Sequence, residues 1–287
     1  MGAGRAGLGL ALSCERAGVP VRLHSRRAKP APTGIPLTVG PLPPPPPWLP
    51  DVDVVLLAVP DAVIGSVAAA LAQSGGVTAG HVVLHLSGVL DASALAALAP
   101  TGAGLGSLHP LLSFGDPATA PLRLRAAVAA VEGDERARLA ALALARRLGL
   151  IAFELSAADK PRYHAGAVFA ANFLVTIAAT ARRLLEQAGV PPVAASRGLA
   201  TLMGGVLENI LKEGPERALT GPVKRGDAET VRRNLAALDV ETAALYRALS
   251  RATLEIAGLS AEQRRAVEEA IQDRADRRTG GPGDGSA

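Results

Sequence analysis

A chain of 287 residues is long for one hydrophobic core, so two domains are expected, and an apolar content of 49% leaves little room for disorder over most of it. The single cysteine, Cys14, excludes an internal disulfide framework and any cysteine-clustered metal site, which fits a reducing, cytoplasmic setting. The net charge of +4 comes from 30 basic and 26 acidic residues that intermingle, as over 262–278, and aromatics make up only 2%, so a nucleic-acid-binding face is not expected.

In chain order, short β-branched runs alternate with alanine- and leucine-rich helical stretches, the pattern of a parallel sheet covered by helices on both faces. The spacing predicts a helix over 4–17, strands over 21–24, 37–39 and 52–59, a helix over 62–73 and a strand over 82–86. A helix over 92–98, strands over 106–109 and 126–131, a helix over 134–148 and a strand over 150–155 complete this half. The prolines at 43–47 are read as an extended polyproline segment between strands. Beyond 155 the periodicity is helical, over 162–188, 192–213, 227–238, 240–257 and 261–277. The expected organisation is an α/β, doubly wound domain over 1–156, an all-α domain over 157–279 and a disordered tail over 280–287.

No secretory signal is read at the N-terminus. The uncharged helical run 165–181 is shorter than the ~20 residues that span a bilayer and contains Asn172, Thr176 and Thr180; a buried helix is expected, not a membrane span.

The string GAGRAG fits G-x-G-x-x-G at a helix start. Gly2 permits a tight turn, Gly4 lets a diphosphate reach the backbone, and Gly7 lets the helix pack on the sheet, while Arg5 and Ala6 lie within the loop. Free amides and the positive pole of the helix then favour phosphate. The end of the next strand should choose the cofactor: an acid there binds the ribose of NAD, whereas arginine accommodates the extra phosphate of NADP. That end reads Ser25, Arg26, Arg27, so NADP is expected. The strand that normally precedes such a glycine turn is missing, because Met1 directly precedes Gly2. A start placed too far downstream is the reading adopted, with an apolar, β-branched run expected in the codons before it.

Ligands of doubly wound sheets lie beyond the carboxyl ends of the strands. Three such ends stand out: Val59, Pro60 and Asp61; Ser87 and Gly88; and His109. The first two are assigned to the nicotinamide side of the cofactor, with Asp61 either there or acting as a helix cap. His109 is placed to bind or protonate a substrate. The His81 and His85 pair would sit ~13 Å apart along a strand, so no metal site is expected.

GAGRAG, LAVPD, LHLSG, SLHPLLSF, YHAGAVFAANF and LTGPVKRGD, in that order, resemble a bacterial family that joins a Rossmann-like domain to a helical domain of unknown function, number 2520. That family is similar to the 6-phosphogluconate, 3-hydroxyisobutyrate and ketopantoate dehydrogenase and reductase superfamily. The resemblance implies a catalytic Lys-x-x-x-Asn pair on a long helix and dimerisation through the second domain. Asn172 takes the asparagine position, but the lysine position holds Val168. The proton donor is therefore sought among His109, Tyr163, His164 and Lys224. The expected activity is NADP-dependent reduction of a small oxo or imino acid by a homodimer, with Asn172 orienting the substrate. The alternative is a dinucleotide-binding module without turnover, favoured by Val168 and the missing strand.

Overall fold

A computed structural model of the chain describes residues 1–30 and 34–272. Its elements in order are α1 (Arg5–Arg16), β1 (Leu23–Ser25), β2 (Leu37–Val39), β3 (Val54–Leu57), α2 (Asp61–Gln73), β4 (Val82–His85), β5 (Gly104–Pro110), α3 (Ala120–Arg123), β6 (Val128–Gly133), α4 (Glu135–Leu148) and β7 (Ile151–Glu154). The helices α5 (Lys160–Val168), α6 (Leu174–Gln187), α7 (Pro192–Glu213), α8 (Pro215–Ala218), α9 (Pro222–Arg225), α10 (Ala228–Ala236), α11 (Val240–Leu254) and α12 (Ala261–Ile271) follow. The chain forms two compact units, Met1–Leu174 and Val175–Ala287. The division falls within helical chain, downstream of the 156/157 boundary expected from the loss of strand signals.

The five-stranded sheet runs β3-β4-β5-β6-β7, and β1 pairs with β2 in a separate parallel ribbon. Pairing is parallel, as expected, except between β5 and β6, where it is antiparallel. Alternation along β4 explains the two-sided core. Val82 and Leu84 face one core, packed with Ala137, Ala141 and Ala145 of α4, and Val83 faces the other, with Ile64, Ala68 and Leu71 of α2. The run 92–101, expected as a short α-helix, is wound as a 3₁₀ helix around Pro100. The proline tract is not one straight extended segment, because the chain bends at 42–44.

Met1 and Gly2 join the two sheets. Gly2 N–H donates to His24 O in β1 (2.8 Å), Ala58 N–H donates to Met1 O (2.8 Å), and the Met1 ammonium donates to Leu56 O in β3. Two residues thus pair in the manner of a strand end, and behind them lies a cavity of about 1010 Å³ walled by Leu10, Leu23, Trp48, Val55 and Leu144. The Met1 ammonium is buried there, and burial pushes its pKa down to about 5.

In the second unit α9, α10, α11 and α12 share a core of Val223, Val231, Leu254, Val267 and Ile271. The apolar helix expected to be buried is not: α6 has no buried residue, Val175 is 69% exposed, and in α7 Leu211 is 86% exposed. Residues 157–187 are long and apolar enough by composition to cross a membrane, with mean hydropathy 1.5. The expected tail over 280–287, and the end of the last predicted helix, lie outside the described residues.

Candidate functional site

The site has two parts, both in the first unit. In the first, α1 starts at a glycine turn. Gly4 is the N-cap, extended and without a side-chain cap, and its missing side chain leaves open space within 4 Å. The first-turn amides of Arg5, Ala6 and Gly7 have no acceptor within the helix. Gly2 has φ +99°, and a Cβ there would lie 2.2 Å from Ala58 O; one on Gly7 would lie 1.9 Å from Gly2 O. The turn is therefore pressed against the end of β3, just before Val59 and Pro60, and only glycine allows it. These residues fit a dinucleotide diphosphate: the open face is at Gly4, with uncapped amides beside it. Ser25 is buried at the end of β1, and Arg26 and Arg27 follow it, exposed and without an ion pair among the described residues.

The second part lies where the carboxyl ends of β4 and β5 meet α5. Ser87 organises the turn after β4, its Oγ donating to Asp61 Oδ2 (2.8 Å) and accepting from the amides of Leu90 (3.0 Å) and Val89 (3.3 Å). Asp61 is thus not the helix cap that sequence allowed: Pro60 holds the N-cap position, and the carboxylate turns to Ser87.

Residues 160, 163 and 164 lie on one face of α5, because positions three and four apart on a helix are neighbours. Lys160 is only 1% exposed; its Nζ donates to Ser107 Oγ (2.8 Å) and Ser87 O (3.2 Å). Ser107 Oγ donates to buried Glu132 Oε2 (3.1 Å), whose other oxygen accepts from Ala92 N (3.2 Å). A hydroxyl therefore links buried cation to buried anion. Desolvation pushes the Lys160 pKa down, and Glu132, Asp91 and Asp61 oppose it.

His109 Nδ1 and Tyr163 OH are 3.0 Å apart, with the rings edge to face. Burial pushes His109 down to about 4, helped by the charges of Lys160 and His164 and opposed by Asp61. Burial pushes the Tyr163 hydroxyl up. The His164 ring centroid is 6.2 Å from that of His109, and its Nδ1 is buried without a hydrogen-bond partner. Both rings crowd Gly88, where a Cβ would lie 2.6 Å from His164 Nδ1 and 2.9 Å from His109 Nε2.

The structure thus brings together His109, Tyr163, His164, Ser87 and Gly88. Asn172 falls in a π-helical turn, Phe169–Phe173, at an exposed position. Lys224 belongs to the second unit, where its Nζ donates to Ala257 O (2.7 Å), a capping contact. Sequence reasoning missed Lys160, Ser107 and Glu132. The available signal was the spacing of Lys160 to Tyr163 and His164 and the period of two between Ser107 and His109 on β5. No group of three or more metal-ligating side chains occurs among the described residues.

A family model described as Rossmann-like domain matches residues 1–110, and one described as Domain of unknown function (DUF2520) matches residues 127–253. No curated protein matches the chain. Among solved structures, protein TM1727 from Thermotoga maritima is 27% identical, with TM-score 0.69 over 89% of this chain and 96% of that one. Protein BF3122 from Bacteroides fragilis is 19% identical, with TM-score 0.68 over 88% and 96%. Pyrroline carboxylate reductase from Plasmodium falciparum, solved with NADP bound, is 12% identical, with TM-score 0.56 over 94% of each chain. The last two likenesses are of fold. With its parallel-dominated sheet followed by a helical region, the chain carries a Rossmann-like domain followed by a DUF2520 domain.

Proposed function

We propose that this chain is an NADP-dependent oxidoreductase that reduces a small oxo or imino acid. The observation that carries the reading is the glycine turn, open at Gly4 and closed against β3 by Gly2 and Gly7, on the same sheet whose neighbouring strand ends hold a buried polar cluster. Gly2, Gly4, Arg5, Ala6 and Gly7 hold the diphosphate. Ser25, Arg26 and Arg27 receive the ribose phosphate, and Val59, Pro60, Ser87 and Gly88 border the nicotinamide. Bound NADPH supplies hydride; the chain's residues supply position and hydrogen bonds. Asn172 is assigned to substrate orientation, and His109 and His164 to the heteroatom that gains the proton. The names of fold neighbours agree: BF3122 is described as a candidate NADP oxidoreductase, and others are pyrroline carboxylate and imine reductases.

The exposed apolar residues of α6 and α7 are assigned to a homodimer interface, since a soluble monomer rarely shows so large an apolar surface. Lys160 at the head of the same helical run is buried in the first unit, which favours a second copy over a bilayer as the cover. The cofactor test is fluorescence titration with NADPH and NADH. Arg26→Ala should weaken NADPH binding by ~1.5–3 kcal/mol, about tenfold or more, and leave NADH binding nearly unchanged. Equal loss for both cofactors refutes the phosphate assignment, and tight binding without NADPH oxidation by any oxo acid or cyclic imine favours a module without turnover.

A further inference from the structure

The C-terminal end of α1 lies ~18 Å along the helix from Gly4. There Arg147 Nη2 donates to Gly18 O (3.2 Å), tying the end of α4 to that of α1, and Ala126 N–H donates to Gly149 O (2.8 Å), bringing in the turn after α3. Between these three segments is a recess of about 160 Å³, with Ser13 and Leu148 in its wall and Arg16, Arg125, Arg146 and Arg147 around it. All four arginines are exposed, none makes an ion pair among the described residues, and no aspartate or glutamate among them lines the recess. Elsewhere the pattern differs: Arg138, Arg162, Arg183, Arg232, Arg233 and Arg264 each meet a carboxylate. A helix C-terminus favours a cation, which accounts for Arg16, Arg146 and Arg147 singly. It does not account for Arg125, which lies in the turn beyond α3, nor for the convergence of three segments on one hollow.

We propose that this recess binds a phosphate group, as the free ion or as the monoester of a small soluble molecule, at a site separate from the cofactor's. Size and charge set the class. At ~30 Å³ per water the recess has room for about five non-hydrogen atoms, the number in a phosphate ion. Four positive charges with no acid between them repel one another, and a dianion relieves that repulsion. Each guanidinium fork can also pair two N–H donors with two phosphate oxygens. A carboxylate brings half the charge and only two oxygens. A nucleic-acid strand calls for a longer basic groove with aromatic platforms, and aromatics make up only 2% of the chain. Because the arginines are exposed, the ester substituent stays in solvent, and the recess selects the phosphate and not what carries it. None of the four arginines belongs to the residues assigned to the cofactor, so the site stands whether or not the chain is a reductase.

Isothermal titration of the full-length chain with inorganic phosphate at fixed ionic strength reads the site. Arg125→Gln should weaken phosphate about fivefold to tenfold, Arg125→Lys, which keeps the charge without the fork, should weaken it less, and Arg125→Gln with Arg16→Gln should abolish measurable binding. Arg251→Gln, which removes the same charge from an exposed position of α11, should change the affinity by less than about twofold. Arg26→Ala with Arg27→Ala should leave it unchanged, which separates this recess from the site assigned to the ribose phosphate. Sulfate should compete with phosphate and chloride should not, and glycerol 3-phosphate should bind like the inorganic ion. In thermal unfolding, phosphate should raise the midpoint of the parent chain, and without phosphate Arg125→Gln should match or exceed the parent. A midpoint lowered equally with and without phosphate marks Arg125 as structural and overturns the proposal. So does phosphate affinity that survives the Arg16 and Arg125 double variant, that disappears instead in the Arg26 and Arg27 double variant, or that chloride displaces as readily as sulfate does, an adventitious ion only. Sedimentation with phosphatidic acid vesicles that Arg125→Gln abolishes, without binding of glycerol 3-phosphate, overturns a soluble molecule as the source of the phosphate.

Discussion

Replacing Lys160 by methionine keeps the length of the side chain and removes its charge. Lys160 is 1% exposed and Glu132 7%, with Ser107 Oγ between them, so the substitution strands a buried carboxylate. Losing one member of a buried ion pair typically costs ~3–5 kcal/mol. Here Glu132 keeps its hydrogen bonds from Ser107 Oγ and Ala92 N, which places the expected loss near the lower end, about 3 kcal/mol. Against a typical total of ~5–15 kcal/mol, such a loss is large. Urea denaturation followed by circular dichroism at pH 7 measures it, and the cycle with Glu132→Gln isolates the pair. The double variant, with neither charge, should recover about 2 kcal/mol relative to the sum of the single losses. A single loss below about 1 kcal/mol, or a double variant no better than additive, refutes the claim that Glu132 depends on Lys160.

Stability should also fall on the acid side. His109 has a folded pKa of about 4 against an ordinary 6.5, and those of His24 and His85 are lowered too, so below pH 6.5 the unfolded chain takes up protons that the folded chain refuses. His109 alone should cost roughly 2 kcal/mol by pH 5 and about 3 kcal/mol by pH 4, and His109→Gln should flatten the slope of urea-derived stability between pH 7 and 5; an unchanged slope counts against its buried, neutral state. Sedimentation velocity should give twice the 29.1 kDa chain mass, and Leu211→Glu, at a position 86% exposed, should shift the balance to monomer. A monomeric parent chain, or one that pellets with membranes unless detergent is present, removes the dimer proposal.

The first unit was legible where period and punctuation agree. The helix after the glycine turn, α2, α4 and the strands β2 to β7 follow from alternating apolar runs bounded by Gly, Pro and Asp, and α7 matches its predicted bounds at Pro192–Glu213. The antiparallel β6 was not legible, because a buried strand reads as the same apolar run in either direction. For 165–181 the apolar content was plain but its cover was not: composition shows that a surface will be hidden, not by what. In the site, His109 and Gly88 were marked by their places after strands. Lys160 was passed over because a lone lysine at a helix start reads as solvent-facing, and its burial comes from Ser107 and Glu132, 53 and 28 residues earlier in the chain. Contacts of that span follow from strand order, which a local pattern does not contain.

The seating of Met1 bears on how the molecule is handled. With the amino end drawn between β1 and β3 and its amine pushed to about 5, whatever is fused ahead of it enters the sheet before it reaches solvent. A polar segment at that position would be pressed between β1 and β3 beside the glycine turn, whereas a short apolar, β-branched one would pair with both edges and fill the cavity.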